Sequence, residues 1–160
     1  MLIEVGFICF ENAKILEIDA IYAIAVTPDG KYIISGSKDR SIKVVEFETR
    51  KVYHHFKEIH EETIRSIAVT PDSKWIISAS TDKSIKIIDI EKKQLVYHFR
   101  GAHPRWIKAV SVSSDGKYIA TCSDDRSIKL FDLKTKQLVH WFKNAHDSTL
   151  FSGFIFSYLT

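Results

Sequence analysis

Val26–Phe47 reads VTPDGKYIISGSKDRSIKVVEF, and the chain repeats it twice. Val69–Ile90 reads VTPDSKWIISASTDKSIKIIDI, and Val112–Leu133 reads VSSDGKYIATCSDDRSIKLFDL. The three copies align without a gap at an interval of 43 residues. A period in this range marks a repeat architecture, in which one unit cannot bury its own apolar surface and must stack on its neighbours.

Working outward from the second copy, 64–70 (IRSIAVT), 75–80 (WIISAS), 84–90 (SIKIIDI) and 94–100 (QLVYHFR) are rich in β-branched and aromatic residues. Polar turn residues separate them, which predicts a four-stranded antiparallel meander. Pro28 and Pro71 fix φ in the first turn, and Gly30 closes it. The second turn carries Asp39-Arg40, Asp82-Lys83 or Asp125-Arg126, each followed by Ser. Apolar residues do not recur at three- and four-residue spacing, which excludes amphipathic helices. Adjacent pairs such as Ile76-Ile77 and Ile87-Ile88 put apolar residues on both faces of a strand. Such a sheet belongs between other sheets, as a blade.

These features resemble the WD-repeat β-propeller family over roughly residues 17–148. The resemblance implies an all-β fold: a partial propeller of three four-stranded antiparallel blades in an open arc. Within a single domain of 1–160, blades are expected at 21–57, 64–100 and 107–143, an N-terminal segment at 1–18, and the start of an incomplete blade at 150–158. It also implies a buried hydrogen-bonded network in each blade: His60, Ser78 and Asp82 in the second, His103, Thr121 and Asp125 in the third, Ser35 and Asp39 in the first. Glu17 stands at the first blade's His position, so that blade is expected to be the least regular. Val45, Ile88 and Phe131 replace the family Trp, so the network lacks an indole donor. Residues lining the family's binding face match Lys38, Thr81, Asp124, Arg65 and Lys108.

Trp106 lies in the connection entering the third blade, beside Arg105 and Lys108, where the neighbouring copies have Thr63 and Thr149. The repeat does not need an aromatic there, and an aromatic flanked by basic residues suits a partner contact. Phe56, Phe99 and Phe142, like Tyr32, Trp75 and Tyr118, recur with the period and are expected to pack.

A catalytic reading of the His–hydroxyl–Asp sets is weaker. They recur at the same positions in successive units, as structural fasteners do, whereas a triad needs an exposed nucleophile and an oxyanion hole. No nucleotide loop, zincin helix or nucleophile elbow occurs, so no enzyme activity, cofactor or metal is expected. The net charge of +3 is spread along the repeats, and Lys outnumbers Arg 17 to 6, which disfavours nucleic acid. No apolar run is long enough to cross a bilayer, so membrane insertion is not expected. The two cysteines, Cys9 and Cys122, are far apart, which suits a reducing intracellular compartment such as the cytoplasm.

The function implied by the resemblance is a non-catalytic scaffold that binds a protein partner through the loops entering each blade. The alternative is a structural one: a terminal fragment, or a self-assembling half, of a larger propeller. Three blades are fewer than a closed ring needs, and two accounts fit: a piece of a longer array first, and second, self-association through open blade faces, two chains joining head to tail.

Overall fold

The computed structural model describes residues 19–146. The expected segments 1–18 and 150–158, with Glu17, lie outside them. The described residues form twelve strands: β1 (Ile21–Val26), β2 (Tyr32–Ser37), β3 (Ile42–Glu46), β4 (Val52–Phe56), β5 (Ile64–Val69), β6 (Trp75–Ser80), β7 (Ile85–Asp89), β8 (Gln94–Phe99), β9 (Ile107–Val112), β10 (Tyr118–Ser123), β11 (Ile128–Asp132) and β12 (Leu138–Phe142). No helix occurs among them. The strands make three four-stranded antiparallel meanders: β1–β4 (sheet one), β5–β8 (sheet two) and β9–β12 (sheet three). The three do not close into a ring.

The sheets share one register plan. Ser35 pairs with Lys43, Ser78 with Lys86 and Thr121 with Lys129. Each innermost strand is bulged near its start, and each pairing with the outermost strand is bulged near the third strand's end. Sheet one is as regular as the others, contrary to expectation. Its ladder depends on the shared turn and strand residues, none of which includes Glu17.

The turns work by left-handed backbone. Gly30, Ser73 and Gly116 have φ between 60° and 72°. The hydroxyls of Thr27, Thr70 and Ser113 donate to Asp29, Asp72 and Asp115 across each turn. The second turn places Arg40, Lys83 and Arg126 in the same left-handed region. An Asp oxygen accepts the amide two residues on and holds the chain there.

Two apolar clusters hold the sheets together. Between sheets one and two lie Ile34, Ile42, Val44, Phe56, Ile64, Ile67, Ile76 and Ile88. Between sheets two and three lie Ile77, Ala79, Ile85, Ile87, Ile107, Val110, Ile119 and Phe131. Sheet two is therefore buried on both faces. Tyr32, Phe56 and Phe99 are buried, whereas Phe142 is exposed on β12, contrary to the packing expected of it. Its side chain points to the face of sheet three that no described sheet covers.

Gly36 is the most crowded of the described glycines. A Cβ there would lie 2.6 Å from Ile64 Cγ2 and 2.8 Å from Ile67 Cδ1. The equivalent residue in sheet two is Ala79, in one cluster with Ile107 and Val110. Val110 lacks the Cδ1 that Ile67 pushes toward Gly36. Gly36→Ala is expected to destabilise the chain by about 1–3 kcal/mol through overpacking. Adding Ile67→Val, which copies the second junction, should recover part of the loss. Urea unfolding of the two single variants and the double variant checks this; strict additivity would contradict it.

Candidate functional site

His60 lies in the linker between β4 and β5, and its side chain reaches forward into sheet two. Nδ1 is 2.7 Å from Asp82 Oδ2, and Nε2 is 2.8 Å from Ser78 Oγ. His103 repeats the arrangement, with Asp125 at 2.8 Å and Thr121 at 2.8 Å. Both imidazoles are buried, as are both hydroxyls. The linker backbone reaches the other way: the His60 amide donates to the Arg40 carbonyl of sheet one, and the His103 amide to the Lys83 carbonyl of sheet two. Each histidine thus ties one sheet to the next.

An ionised carboxylate accepts only, so Nδ1 carries the proton and Nε2 accepts from the hydroxyl. Burial holds the His60 and His103 imidazoles below their ordinary value, against the pull of Asp82 and Asp125. Burial alone would raise Asp82, but hydrogen bonds from His60, Ser84 and the Glu61 amide outweigh it and leave the carboxyl well below the usual range. Asp125 is lowered in the same way: burial opposes, and bonds from Ser127 and His103 prevail. The pairs are neutral imidazole against carboxylate.

Two sets of participants escape a reading by composition. Ser84 and Ser127 donate to the other oxygen, Oδ1, of Asp82 and Asp125 at 2.6 and 2.7 Å. Lys86 and Lys129 are buried, and each amine donates to the carbonyl just before a network histidine: Lys86 to Ile59, Lys129 to Ala102 at 2.7 Å. Burial lowers both amines. The signal was the invariance of Ser-Ile-Lys in all three copies. In sheet one, Asp39 accepts the Ser41 amide, and Ser35 is half-buried on the face that no described sheet covers.

The rim residues fall into two groups. The residue before each turn Asp donates its amide to the residue just ahead of the innermost strand: Lys38 to Ala20, Thr81 to Thr63, Asp124 to Trp106. That bond brings Trp106 beside Asp124. Lys108 Nζ lies 3.1 Å from Asp124 Oδ2 and 5.4 Å from the Trp106 ring centre. Trp106 remains 52% exposed, and Arg105 beside it is exposed. Arg65 belongs to a separate contact, its guanidinium 4.8 Å from the ring of Tyr22. Tyr22 occupies the repeat position of Arg65 and Lys108, a clue the period offered. Lys38 is exposed, at the first sheet's equivalent of Asp124.

Among the described residues, no three His, Cys, Asp or Glu side chains gather as metal ligands. A shallow pocket between the first turns of sheets two and three is lined by Pro71, Asp72, Trp75, Asp115 and Gly116. Lys136 Nζ covers the Trp75 ring at 4.9 Å.

His60→Ala is expected to cost roughly 2–4 kcal/mol, because Asp82 loses a donor while buried and Ser84 keeps it partly satisfied. Stability should also fall in acid. The folded imidazoles bind protons less readily than the unfolded ones, so the unfolded state gains protons first as pH drops below about 6.5. The lowered Asp82 and Asp125 add a further loss below about pH 4. Urea midpoints at pH 7.5 and 5.0 should differ less in His60→Asn/His103→Asn than in wild type. Some difference will persist, since burial also lowers His55 and His98.

The family described as WD domain, G-beta repeat, matches residues 15–46, 50–89 and 93–132, well over half of the chain. The second and third matches each start near the outermost strand of one sheet and end on the third strand of the next. Two solved structures, titled "Crystal structure of RRP9 WD40 repeats" and "Structure of U3-55K", are similar to it with a TM-score of 0.78 and 24% identity. The similarity covers 83% of this chain but 41% and 42% of theirs, so the chain spans about two fifths of their length. No curated protein sequence matches it. Family match, strand plan and repeated His–hydroxyl–Asp fasteners agree: the chain belongs to the WD-repeat family.

Proposed function

We propose that this chain is a non-catalytic WD-repeat scaffold that binds a protein partner through the rim where loops enter each blade. WD repeats typically serve as protein-interaction scaffolds, and the observation that supports the reading here is Trp106. Its ring is half exposed, oriented by Lys108, and stands where the preceding sheets carry Thr63 and Ala20. A large aromatic beside an exposed Arg105 is the composition of an interface anchor. The network histidines support the non-catalytic half of the reading, because Ser78 and Thr121 are buried beyond the reach of a substrate. The buried free thiol of Cys122 is in keeping with a reducing, intracellular setting.

A second reading is favoured by the apolar face of sheet one that no described sheet covers, with Ile21, Ile24 and Val26 exposed on it. There the chain is a structural part of a larger propeller, with no rim partner of its own. Trp106→Ala and Arg105→Ala separate the two. Neither side chain packs between sheets, so both variants should melt like wild type. A partner captured by the wild type should bind Trp106→Ala at least tenfold more weakly, about 1.4 kcal/mol. Equal binding by both variants would remove the rim reading.

A further inference from the structure

The first turns of neighbouring sheets meet at the far end of the innermost strands from Trp106. Between sheets one and two the meeting is closed. The Asp29 amide donates to Ser73 Oγ at 3.1 Å, which latches one turn to the next. Tyr53 covers Tyr32, their ring centres 4.8 Å apart, and the Lys93 ammonium lies 4.0 Å from the Tyr53 ring centre.

One period on, both closures are replaced. Gly116 stands in the place of Ser73 and offers the Asp72 amide no hydroxyl; Val96 stands in the place of Tyr53 and offers Trp75 no ring. The shallow pocket opens there, between sheets two and three, with Pro71, Trp75 and Gly116 in its wall. It holds about 180 Å³, too little for a whole small molecule and suited to one side chain. Lys136, the repeat equivalent of Lys93, reaches the bare Trp75 instead: its Nζ is 4.9 Å from the ring centre and donates to the Leu133 carbonyl. The ring therefore already accepts a cation on its face. Burial holds the Lys136 amine below its ordinary value, against the pull of Asp132, so an incoming cation can send it back to water without stranding a charge.

Asp72 and Asp115 bring two carboxylates to the same pocket. Their Oδ1 atoms are engaged by their own turns. Their Oδ2 atoms meet Lys74 at 4.0 Å and Lys117 at 3.4 Å, exposed pairs of the kind that contributes little. A guanidinium can stack flat on an indole and offer its fork to carboxylates at the ring's edge, which a compact ammonium cannot do. We propose that this pocket binds an arginine side chain from an extended segment of a partner protein, the guanidinium lying on Trp75 beside Asp72 and Asp115, in the place Lys136 now takes.

The probe is the acetylated and amidated peptide Gly-Arg-Gly, set against the same peptide with citrulline, which keeps the shape and loses the charge. A titration followed by the Trp75 indole N–H resonance should saturate with the arginine peptide, and the citrulline peptide should bind at least tenfold more weakly. Gly116→Ser copies the latch of the first junction. Ser73 holds the same left-handed φ, and a Cβ on Gly116 would meet Pro71 Cδ at an ordinary 3.5 Å, so this variant should keep its urea midpoint and bind at least tenfold more weakly. Lys136→Ala should bind at least threefold tighter, and Trp106→Ala should bind as wild type does, which separates this site from the rim. No saturation by about 10 mM peptide would overturn the proposal. So would equal binding by wild type and a folded Gly116→Ser, or loss of binding in Trp106→Ala. Should Gly116→Ser not fold, Asp115→Asn, whose Oδ1 can still accept from Ser113 and Lys117, takes its place, and the same outcomes decide.

Discussion

Everything in this chain depends on sheets burying each other. A single four-stranded meander of this sequence has apolar residues on both faces and too little surface to hide either. Sheet two meets the requirement on both sides, with Ile76 and Ile88 against one neighbour and Ile77, Ile85 and Ile87 against the other, all fully buried. Burying an isoleucine contributes on the order of 1.5–3 kcal/mol, so removing either neighbour would strip the central sheet of its main stabilisation. Stability here belongs to the junctions, as it does in other stacked repeats.

The buried polar groups are arranged around the same junctions. A carboxylate, an imidazole, two hydroxyls and an ammonium lie beside an apolar core in sheets two and three. Each is satisfied by a neighbour from the same 43-residue unit or from the linker ahead of it. Lys86 and Lys129 complete the sets. They secure the carbonyl before each histidine, so the linker is held where the histidine must point. A half-satisfied set of this kind would cost more than an apolar replacement.

Much of the fold could be read from the chain because it is stated three times. Turn residues and β-branched runs located the strands, and the paired isoleucines implied stacking. What escaped was relational. Lys86 and Lys129 read as surface lysines until their register opposite Ser78 and Thr121 is known. The left-handed turns at Arg40, Lys83 and Arg126 are hidden because the Asp before them, not the residue itself, makes the conformation tolerable. Tyr22 shares no chemistry with Arg65 by composition, and only the fold puts the ring under the guanidinium. Phe142 shows the converse: its periodic position is that of a packed residue, but packing needs a neighbour as well as a place.

The linkers carry one more implication. Each faces backward with its amide, onto a turn carbonyl of the sheet behind, and forward with its imidazole, onto the carboxylate of the sheet ahead. A connector gripped at both ends does not swivel. The angular step from sheet to sheet is therefore written into the linker as well as the core. Lengthening or shortening that linker by one residue would alter the curvature of the whole array, even with every isoleucine in place.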